Sequence, residues 1–272
     1  MIIHIWTGEV KNYLYEIFPN YFRIHFLGQG HTIAVSSCCG YNKPMTFPDK
    51  QPDKIQGMFT RIAGRYDLMN RLMTFGQDKK WRKEVIHRAG ISPSSRLLDL
   101  GTGTGDLTRE AQRQQPGCSS VAADFTLGMM RAGDLRGHLN WSAADALHLP
   151  FPEASFDAVV SGFLMRNALD VSLALQEQHR VLTNGGRIVI LDTTHPPRNL
   201  LTPFLWLHLH LVIPLLGALI TGQREAYTYL PESTEKFLYA EQLASALREV
   251  GFKNVAFRRR MLGTIAIHWG EK

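Results

Sequence analysis

The chain has 272 residues, of which 44% are hydrophobic and 20% charged, a composition that describes an ordinary soluble globular protein and excludes a low-complexity chain. Its net charge of +6 permits attraction to nucleic acid or to an anionic membrane, although so modest an excess also fits a solvated basic face. The cysteines, Cys38, Cys39 and Cys118, are odd in number and include an adjacent pair, which predicts neither a disulfide framework nor a metal site and indicates a reducing compartment.

The first 50 residues predict an N-terminal extension without a signal peptide. Glu9, Lys11 and Asn12 interrupt its apolar start, and no helical or strand period persists through it. Met45 is a plausible alternative initiator. We therefore interpret residues 1–50 as an extension, disordered or upstream of the true start, and residues 51–272 as the folded domain.

Amphipathic helices open the domain, and an alternation of strands and helices follows. Apolar spacing from Ile55 to Ile86 predicts helices that stop at Gly90. Strands are predicted at 96–100, 119–124, 140–143, 156–161 and 187–192, with helices between them at about 104–114, 126–132 and 170–182. Such alternation is typical of an α/β domain with a parallel sheet covered by helices on both faces.

The C-terminal part predicts a helical insert, a further helix and a hairpin. The insert spans about 199–221, and the helix 239–250 ends at Gly251. The runs NVAFRRRM and GTIAIHWG, which meet at Leu262 and Gly263, are typical of a β-hairpin.

The stretch RLLDLGTGTGDL, residues 96–107, predicts a strand that runs into a glycine loop. Gly101, Gly103 and Gly105 are followed by Asp106, where the dinucleotide fingerprint would place its third glycine. Asp124, at the end of the next strand, could accept hydrogen bonds from two ribose hydroxyls of either NAD or S-adenosylmethionine. A tight turn without a ligand is the third alternative, and the absence of a following Lys-Ser or Lys-Thr excludes a P-loop.

Two further features distinguish among these ligands. Asp145 ends the third strand, with Ala146 beside it, where a carboxylate can accept a hydrogen bond from the adenine amino group. A helix end, a Gly185–Gly186 turn and a strand then follow in the stretch RVLTNGGRIVIL. This order resembles class I methyltransferases that use S-adenosylmethionine, and in that interpretation the glycines admit the methionine end of the cofactor.

Longer stretches resemble the ubiquinone/menaquinone biosynthesis C-methyltransferase family. They are MFTRIAGRYDLMNRLMTFGQDKKWRK, LDLGTGTGDLT, FLMRNALDVSLALQEQHRVLTNGGRIVILD, REAYTYLPESTEKF and LGTIAIHWG, which run in order from about Ile55 to Gly270. The resemblance implies a Rossmann-like class I methyltransferase fold, whose seven strands are parallel except for one near the C-terminal hairpin. It also implies methylation of a ring carbon on a polyprenylated quinol.

The resemblance also implies particular site residues. The cofactor contacts that it implies are Thr104 in the glycine loop, Asp124, Asp145 and Ala146. Members of the family often carry a cofactor-contacting serine where this chain has Gly162, so that contact is not transferred. Ser161 would face the opposite side of the strand. The pair Arg166-Asn167 is intact.

Methylation of a ring carbon requires an electron-rich ring, which a deprotonated neighbouring hydroxyl supplies only in the reduced quinol. Arg166, at the carboxyl end of the fourth strand, lies where open α/β sheets bind ligands, and it would stabilise the phenolate or orient a water. Its alternative role is a structural ion pair with Asp170. Tyr66 would hydrogen-bond the substrate hydroxyl or be a packed helix aromatic. His195 is a candidate base or a hydrogen-bonded loop histidine.

The apolar run from Pro203 to Thr221 predicts a cover over the quinol with a lipid-facing patch for the isoprenoid tail. A buried core helix and a transmembrane span are the alternatives, and two histidines with Pro214 weigh against the span. Arg258 to Arg260 would contact anionic headgroups or lie at a solvated hairpin end. We expect a cytoplasmic protein, peripheral at the inner face of the membrane and without a nucleic-acid partner, and a homodimer is left open.

The predicted function is C-methylation of a demethylmenaquinol, preferred to a ubiquinone precursor because SGFLMRN resembles family members from menaquinone-only organisms. A methyltransferase of the same fold that acts on another phenol or lipid is one alternative. A non-catalytic scaffold of a quinone-synthesis complex is another, although Asp124 and Asp145 are both present. An RNA methyltransferase is disfavoured because the chain lacks a nucleic-acid-binding module and an NPPY-type tetrapeptide.

Overall fold

The computed structural model describes residues 52–196, 207–221 and 224–272. The predicted extension over residues 1–50 and the alternative initiator Met45 lie outside these ranges. The first part of the predicted insert, as far as Trp206, lies outside them as well.

Within the described residues, three helices precede the sheet, as the apolar spacing predicts. They are α1 (Pro52–Ile62), α2 (Tyr66–Met73) and α3 (Asp78–Ala89), with a 3-10 turn at Ala63–Arg65 between the first two. Gly90 ends α3 with a φ of 61°, in the left-handed region that favours glycine. The buried side chains of Met58, Ile62, Met69 and Met73 form a small core with Ile213 and Tyr227 from the later insert.

A seven-stranded sheet forms the centre of the domain. Its strands are β1 (Arg96–Leu100), β2 (Ser119–Asp124), β3 (Trp141–Ala143), β4 (Phe156–Gly162), β5 (Leu182–Thr193), β6 (Lys253–Arg260) and β7 (Ile265–Glu271). They lie in the order β3-β2-β1-β4-β5-β7-β6, and β7 runs antiparallel to both of its neighbours. The predicted topology is confirmed. The strand order reverses between β1 and β4, and open α/β sheets bind ligands beyond the carboxyl ends of the strands at such a point.

One strand starts earlier than predicted. β5 begins at Leu182, which pairs with Phe156 before the register shifts and Ala158 comes to lie opposite Arg187. The Gly185–Gly186 turn of the prediction is therefore an irregularity within the strand.

Helices cover both faces of the sheet. They are α4 (Asp106–Gln114), α5 (Leu127–Asp134), α6 (Val171–Val181) and α9 (Ala240–Val250). Leu98 and Val159 are buried on one face, in the cluster that includes α6 and α9. Leu97 and Val160 are buried on the other face, with α3 and α4. Adjacent strand residues thus point to opposite faces, which explains the nearly continuous apolar runs in these strands.

The insert after β5 contains a feature that the sequence analysis missed. A π-helix at His208–Val212 leads into α7 (Ile213–Thr221), as the predicted insert requires, but a further helix, α8 (Arg224–Glu235), follows. α8 contains Pro231, whose presence in the sequence argues against a continuous helix. None of the described helices is long and apolar enough to cross a membrane.

Candidate active site

The glycine loop after β1 leaves no room for side chains. Gly101, Gly103 and Gly105 have φ values of 65°, 60° and 86°, a region that L-residues rarely adopt. A Cβ atom on Gly101 would lie 2.8 Å from Cδ1 of Leu164, and one on Gly103 would lie 3.3 Å from Cε of Met129. The backbone conformation and these neighbouring side chains therefore require glycine in the loop.

A cavity of about 210 Å³, the first cavity, opens beside this loop. Gly101, Gly103 and Gly162 line it, together with apolar side chains from α5 and from the loops after β3 and β4. The charged side chains in its lining are Asp124 and Asp145, both acidic. Among the described residues, no basic side chain lines this cavity to balance the charge of a dinucleotide pyrophosphate, and a sulfonium needs no such partner. The lining therefore favours S-adenosylmethionine over NAD.

Asp124 ends β2 within the first cavity and is buried. Its Oδ2 accepts a hydrogen bond from Gly103 N at 2.7 Å, and its Oδ1 accepts one from Thr126 N at 2.7 Å. Burial raises the pKa of its carboxyl, and the backbone hydrogen bonds oppose that rise. Each carboxylate oxygen can accept more than one hydrogen bond, so capacity for ribose hydroxyls remains. The ribose contact itself stays a prediction.

Asp145 and Ala146, after β3, also line the first cavity. Asp145 is exposed, and its Oδ1 accepts a hydrogen bond from Leu147 N at 2.9 Å. The turn that this bond stabilises presents the carboxylate and the backbone of Ala146 to the same space. This arrangement fits the predicted adenine contact.

Thr104 does not line the first cavity. Its hydroxyl donates to Oδ1 of Asp67 at 2.8 Å, and Arg136 forms ion pairs with Asp67 and Asp106. Thr104 lines instead a third cavity of about 40 Å³ beneath the glycine loop. Its side chain joins α2 to the loop, so its predicted cofactor contact would be made within the third cavity.

Asp99, which the sequence analysis did not single out, also lines the third cavity. Its Oδ2 accepts three hydrogen bonds, from the hydroxyl of Thr102 and from the amide and hydroxyl of Thr108. Its buried Oδ1 has no hydrogen-bond donor among the described residues. Burial raises the pKa of this carboxyl to about 6. The signal that could have revealed it is an acidic residue inside an otherwise apolar strand.

A second cavity of about 70 Å³ shares Phe163 with the first and is lined in part by Arg166. Arg166 is buried, and its Nη1 donates to Oδ1 of Asp192 at 2.8 Å. Its backbone N also donates to Oδ2 of Asp192 at 3.1 Å. The alternative partner, Asp170, instead caps α6 by accepting a hydrogen bond from Leu173 N at 2.9 Å. The ion pair with Asp170 is wrong because that carboxylate is used by the helix.

Tyr66 lies between the cavities. It lines the first and third cavities and, with Asn70 and Arg166, a fourth of about 30 Å³. Burial raises the pKa of its hydroxyl, and the charge of Arg166 opposes the rise. The hydroxyl is therefore protonated near neutral pH and can donate a hydrogen bond to a substrate oxygen. The sequence did not predict Asn70 as a site residue. Its amide lowers the pKa of Tyr66, although its buried Nδ2 makes no well-formed hydrogen bond among the described residues.

Phe163 separates the first cavity from the second and lines both. Its φ of 62° is unusual for a bulky residue, and such strain is concentrated at functional sites. The guanidinium of Arg166 lies 5.0 Å from the centre of its ring. Asn167, the neighbour of Arg166, lines the first cavity and accepts a hydrogen bond from the Tyr229 hydroxyl at 3.0 Å. Ser161 is fully buried and does not line the first cavity, and the side of the strand that it faces stays a prediction.

His195 is not brought to any of these four cavities. Its Nε2 lies 2.9 Å from the carbonyl oxygen of Phe237, and its ring stacks on Tyr239 with centroids 4.2 Å apart. This environment favours the hydrogen-bonded loop histidine over the catalytic base.

The fold matches that of a solved S-adenosylmethionine-dependent methyltransferase from Thermotoga maritima, described as a possible histamine N-methyltransferase. The TM-score is 0.52 at 17% identity, and the match covers 79% of this chain and 99% of that one. At this identity the likeness shows the fold alone. The fold and the acidic cofactor cavity together define a class I S-adenosylmethionine-dependent methyltransferase.

Sequence comparison identifies the family. The sequence model of the ubiE/COQ5 methyltransferase family matches residues 48–272. The ubiquinone/menaquinone biosynthesis C-methyltransferase UbiE of Desulfotalea psychrophila is 44% identical over 221 residues, which are 80% of this chain and 90% of that protein. The demethylmenaquinone methyltransferase of Roseiflexus castenholzii is 40% identical over 228 residues, 83% of this chain and 96% of that protein. The chain belongs to the ubiE/COQ5 methyltransferase family, and the resemblance is confirmed.

Proposed function

We propose that the protein transfers a methyl group from S-adenosylmethionine to a ring carbon of a polyprenylated demethylmenaquinol. The observation that carries the proposal is the buried Arg166, which is anchored by Asp192 and separated from the cofactor cavity by the ring of Phe163. A fixed positive charge in an apolar cavity next to the methyl donor suits an acceptor whose oxygen becomes negative during the reaction. The printed names of the relatives support a quinone precursor as that acceptor.

The residues around the first and third cavities fit the cofactor. Asp124 would accept hydrogen bonds from the ribose, and Asp145 with Ala146 would contact the adenine. The unpartnered Oδ1 of Asp99 would accept a hydrogen bond from the ammonium group at the methionine end. When bound, S-adenosylmethionine supplies the methyl group as an electrophile on a positively charged sulfur.

The chain's own residues prepare the acceptor for attack. An aromatic carbon is a poor nucleophile until an adjacent hydroxyl is ionised, so only the reduced ring can react. We assign the guanidinium of Arg166 the stabilisation of the phenolate or the orientation of a water that takes the proton. Tyr66, protonated near neutral pH, would hydrogen-bond the same oxygen. His195 stays a prediction that the geometry does not favour.

The isoprenoid tail of such an acceptor resides in a membrane, so the protein would work at a membrane surface as a peripheral protein. The homodimer stays an open expectation, which sedimentation of the full chain tests.

The experiment that tests the proposal measures methyl transfer from labelled S-adenosylmethionine to a panel of acceptors. The panel contains a short-tailed demethylmenaquinol, the corresponding benzoquinol and an unrelated phenol. We expect turnover of the demethylmenaquinol, and we expect its loss in the double variant Arg166→Gln/Asp192→Asn, which removes both buried charges together. Turnover of the phenol alone would replace the substrate class. Cofactor binding without turnover of any acceptor would indicate a scaffold.

A further inference from the structure

Large apolar side chains lie exposed on the three segments that surround the second cavity. Met73 and Thr74 at the end of α2, His208 in the π-helix and Met261 in the turn before β7 all line that cavity. The same segments carry five exposed apolar side chains, called the docking face: Leu72, Phe75, Leu207, Leu211 and Leu262. Phe75 is 73% exposed, and Leu211 and Leu262 are each 57% exposed. Clusters of this kind mark interaction sites, whereas single exposed leucines do not.

Side-chain contacts hold these segments together at the mouth of the cavity. The ring of Phe75 stacks on His208 with centroids 5.5 Å apart. Nε2 of His208 lies 3.3 Å from the carbonyl oxygen of Met73. The end of α2 therefore contacts the π-helix directly, and the docking face lies on the segments that line the second cavity.

The backbone holds two of these side chains in unusual conformations. Phe75 has a φ of 52° and Leu262 a φ of 54°, both in the region that favours glycine. Each has a glycine as its next neighbour, Gly76 and Gly263, with φ values of 72° and 94°. Bulky apolar residues at strained, solvent-facing positions are unfavourable for a purely soluble surface.

Basic side chains flank the docking face. Arg71 precedes Leu72, and Lys79 and Lys80 lie exposed in the first turn of α3, shortly after Phe75. No ion pair involves these three cations within the described part of the chain. The exposed acidic Glu235 on the neighbouring helix is paired with His210 at 2.9 Å. An apolar patch with unneutralised cations at its edge complements an anionic lipid surface.

We propose that the docking face inserts into an anionic lipid bilayer and aligns the mouth of the second cavity with the acyl region. Phe75, Leu211 and Leu262 enter the boundary between headgroups and acyl chains, while Arg71, Lys79 and Lys80 contact the headgroups. The alignment with the isoprenoid tail rests on the proposed function, but lipid binding itself does not.

The test measures flotation of the full chain with phosphatidylglycerol-containing vesicles in the absence of any acceptor. Wild-type protein is expected to float. The variant Phe75→Ser/Leu211→Ser/Leu262→Ser should lose about 1,000-fold in partition coefficient, since each of the three apolar side chains contributes about tenfold. The matched control is Leu135→Ser, because Leu135 is 90% exposed after α5 and lines none of the four cavities. The variant Lys79→Gln/Lys80→Gln should weaken binding about fivefold per charge, and only on anionic vesicles.

Turnover of a short-tailed acceptor in detergent-free solution separates this proposal from the proposed function. All variants should turn over that acceptor as wild type does, whereas the triple variant should fail with a long-tailed acceptor embedded in vesicles. Equal vesicle binding by the wild type and the triple variant would overturn the docking face. Absence of vesicle binding by the wild type would also overturn the docking face. If the triple variant then dissociated a dimer, the face would be an interface between two copies of the chain. Vesicle binding by the wild type without turnover of the short-tailed acceptor would contradict the proposed function and support the docking face.

Discussion

The substitution Asp192→Asn should lower both the stability of the protein and its turnover number. Oδ1 of Asp192 accepts from Nη1 of Arg166 and from its neighbour Thr193 N, each at 2.8 Å, and Oδ2 accepts from Arg166 N at 3.1 Å. Asparagine keeps one acceptor oxygen but turns an NH2 group toward a donor, and it removes the negative charge that faces the guanidinium of Arg166. Removing one partner of a buried ion pair costs about 3–5 kcal/mol. Because the remaining oxygen can keep the two hydrogen bonds that Oδ1 accepts, we expect a loss at the lower end of this range, about 3 kcal/mol, in the free energy of unfolding.

The kinetic consequence follows from the position of Arg166. A guanidinium displaced by its lost anchor misplaces the charge that faces the acceptor, which should lower kcat by about 100-fold. The Kd for S-adenosylmethionine should stay within about twofold, because Asp192 does not line the first cavity. Denaturant unfolding, calorimetric binding of S-adenosylmethionine and turnover of a short-tailed demethylmenaquinol measure the three quantities.

Asp170→Asn is the matched control for this prediction. It makes the same chemical change close to Arg166 in sequence, but Asp170 caps α6, and asparagine caps a helix equally well. We expect no measurable loss of stability or turnover. The reasoning is refuted if Asp192→Asn changes the free energy of unfolding by less than about 0.5 kcal/mol, or if Asp170→Asn is the more damaging variant.

Gly101→Ala should weaken the binding of S-adenosylmethionine about tenfold or more, because the new Cβ would lie 2.8 Å from a side-chain atom. The control Gly76→Ala has a similar φ of 72° but no atom within 4 Å of the new Cβ, and calorimetry should show unchanged binding. Asp124→Asn should weaken the same ligand by about 10- to 100-fold, the value of hydrogen bonds to a buried charge, with little change in kcat at saturation. Because the pKa of Asp99 is about 6, we expect S-adenosylmethionine to bind about fourfold more weakly at pH about 5.5 than at pH about 7.5. A protonated carboxyl cannot form an ion pair with the ammonium group of the ligand. The variant Asp99→Asn should abolish this pH dependence. Burial lowers the pKa of His268 to about 4, below its value in the unfolded chain, so the unfolded chain takes up a proton more readily than the folded protein as pH falls. The free energy of unfolding should therefore fall by about 2 kcal/mol between pH about 7.5 and about 5. Denaturant titrations of His268→Gln should not show this loss.

Local patterns in the sequence predicted much of the fold and the cofactor site. β1 and β2 begin and end where predicted, because an apolar run bounded by polar and glycine residues sets a strand without reference to the rest of the chain. The glycine loop, Asp124 and Asp145 gather around one cavity for a related reason, since carboxyl ends of neighbouring parallel strands meet at one edge of the sheet.

Long-range partners were harder to predict. Arg166 and Asp170 are close in sequence, and their spacing suggested an ion pair, yet the true partner is Asp192 on β5. Pairing of Gly162 with Leu191 brings the carboxyl ends of β4 and β5 together, and this register is a property of the folded sheet. The role of Phe163 depends on a positive φ that its residue type does not predict.

The measurement that tests the central claim most directly is the position of the transferred methyl group. A short-tailed demethylmenaquinol and its oxidised quinone would each be incubated with wild-type protein and isotope-labelled S-adenosylmethionine, and the products analysed by NMR. The account predicts a labelled methyl on a ring carbon from the quinol and no product from the quinone. A methyl on oxygen, or equal product from both oxidation states, would contradict it.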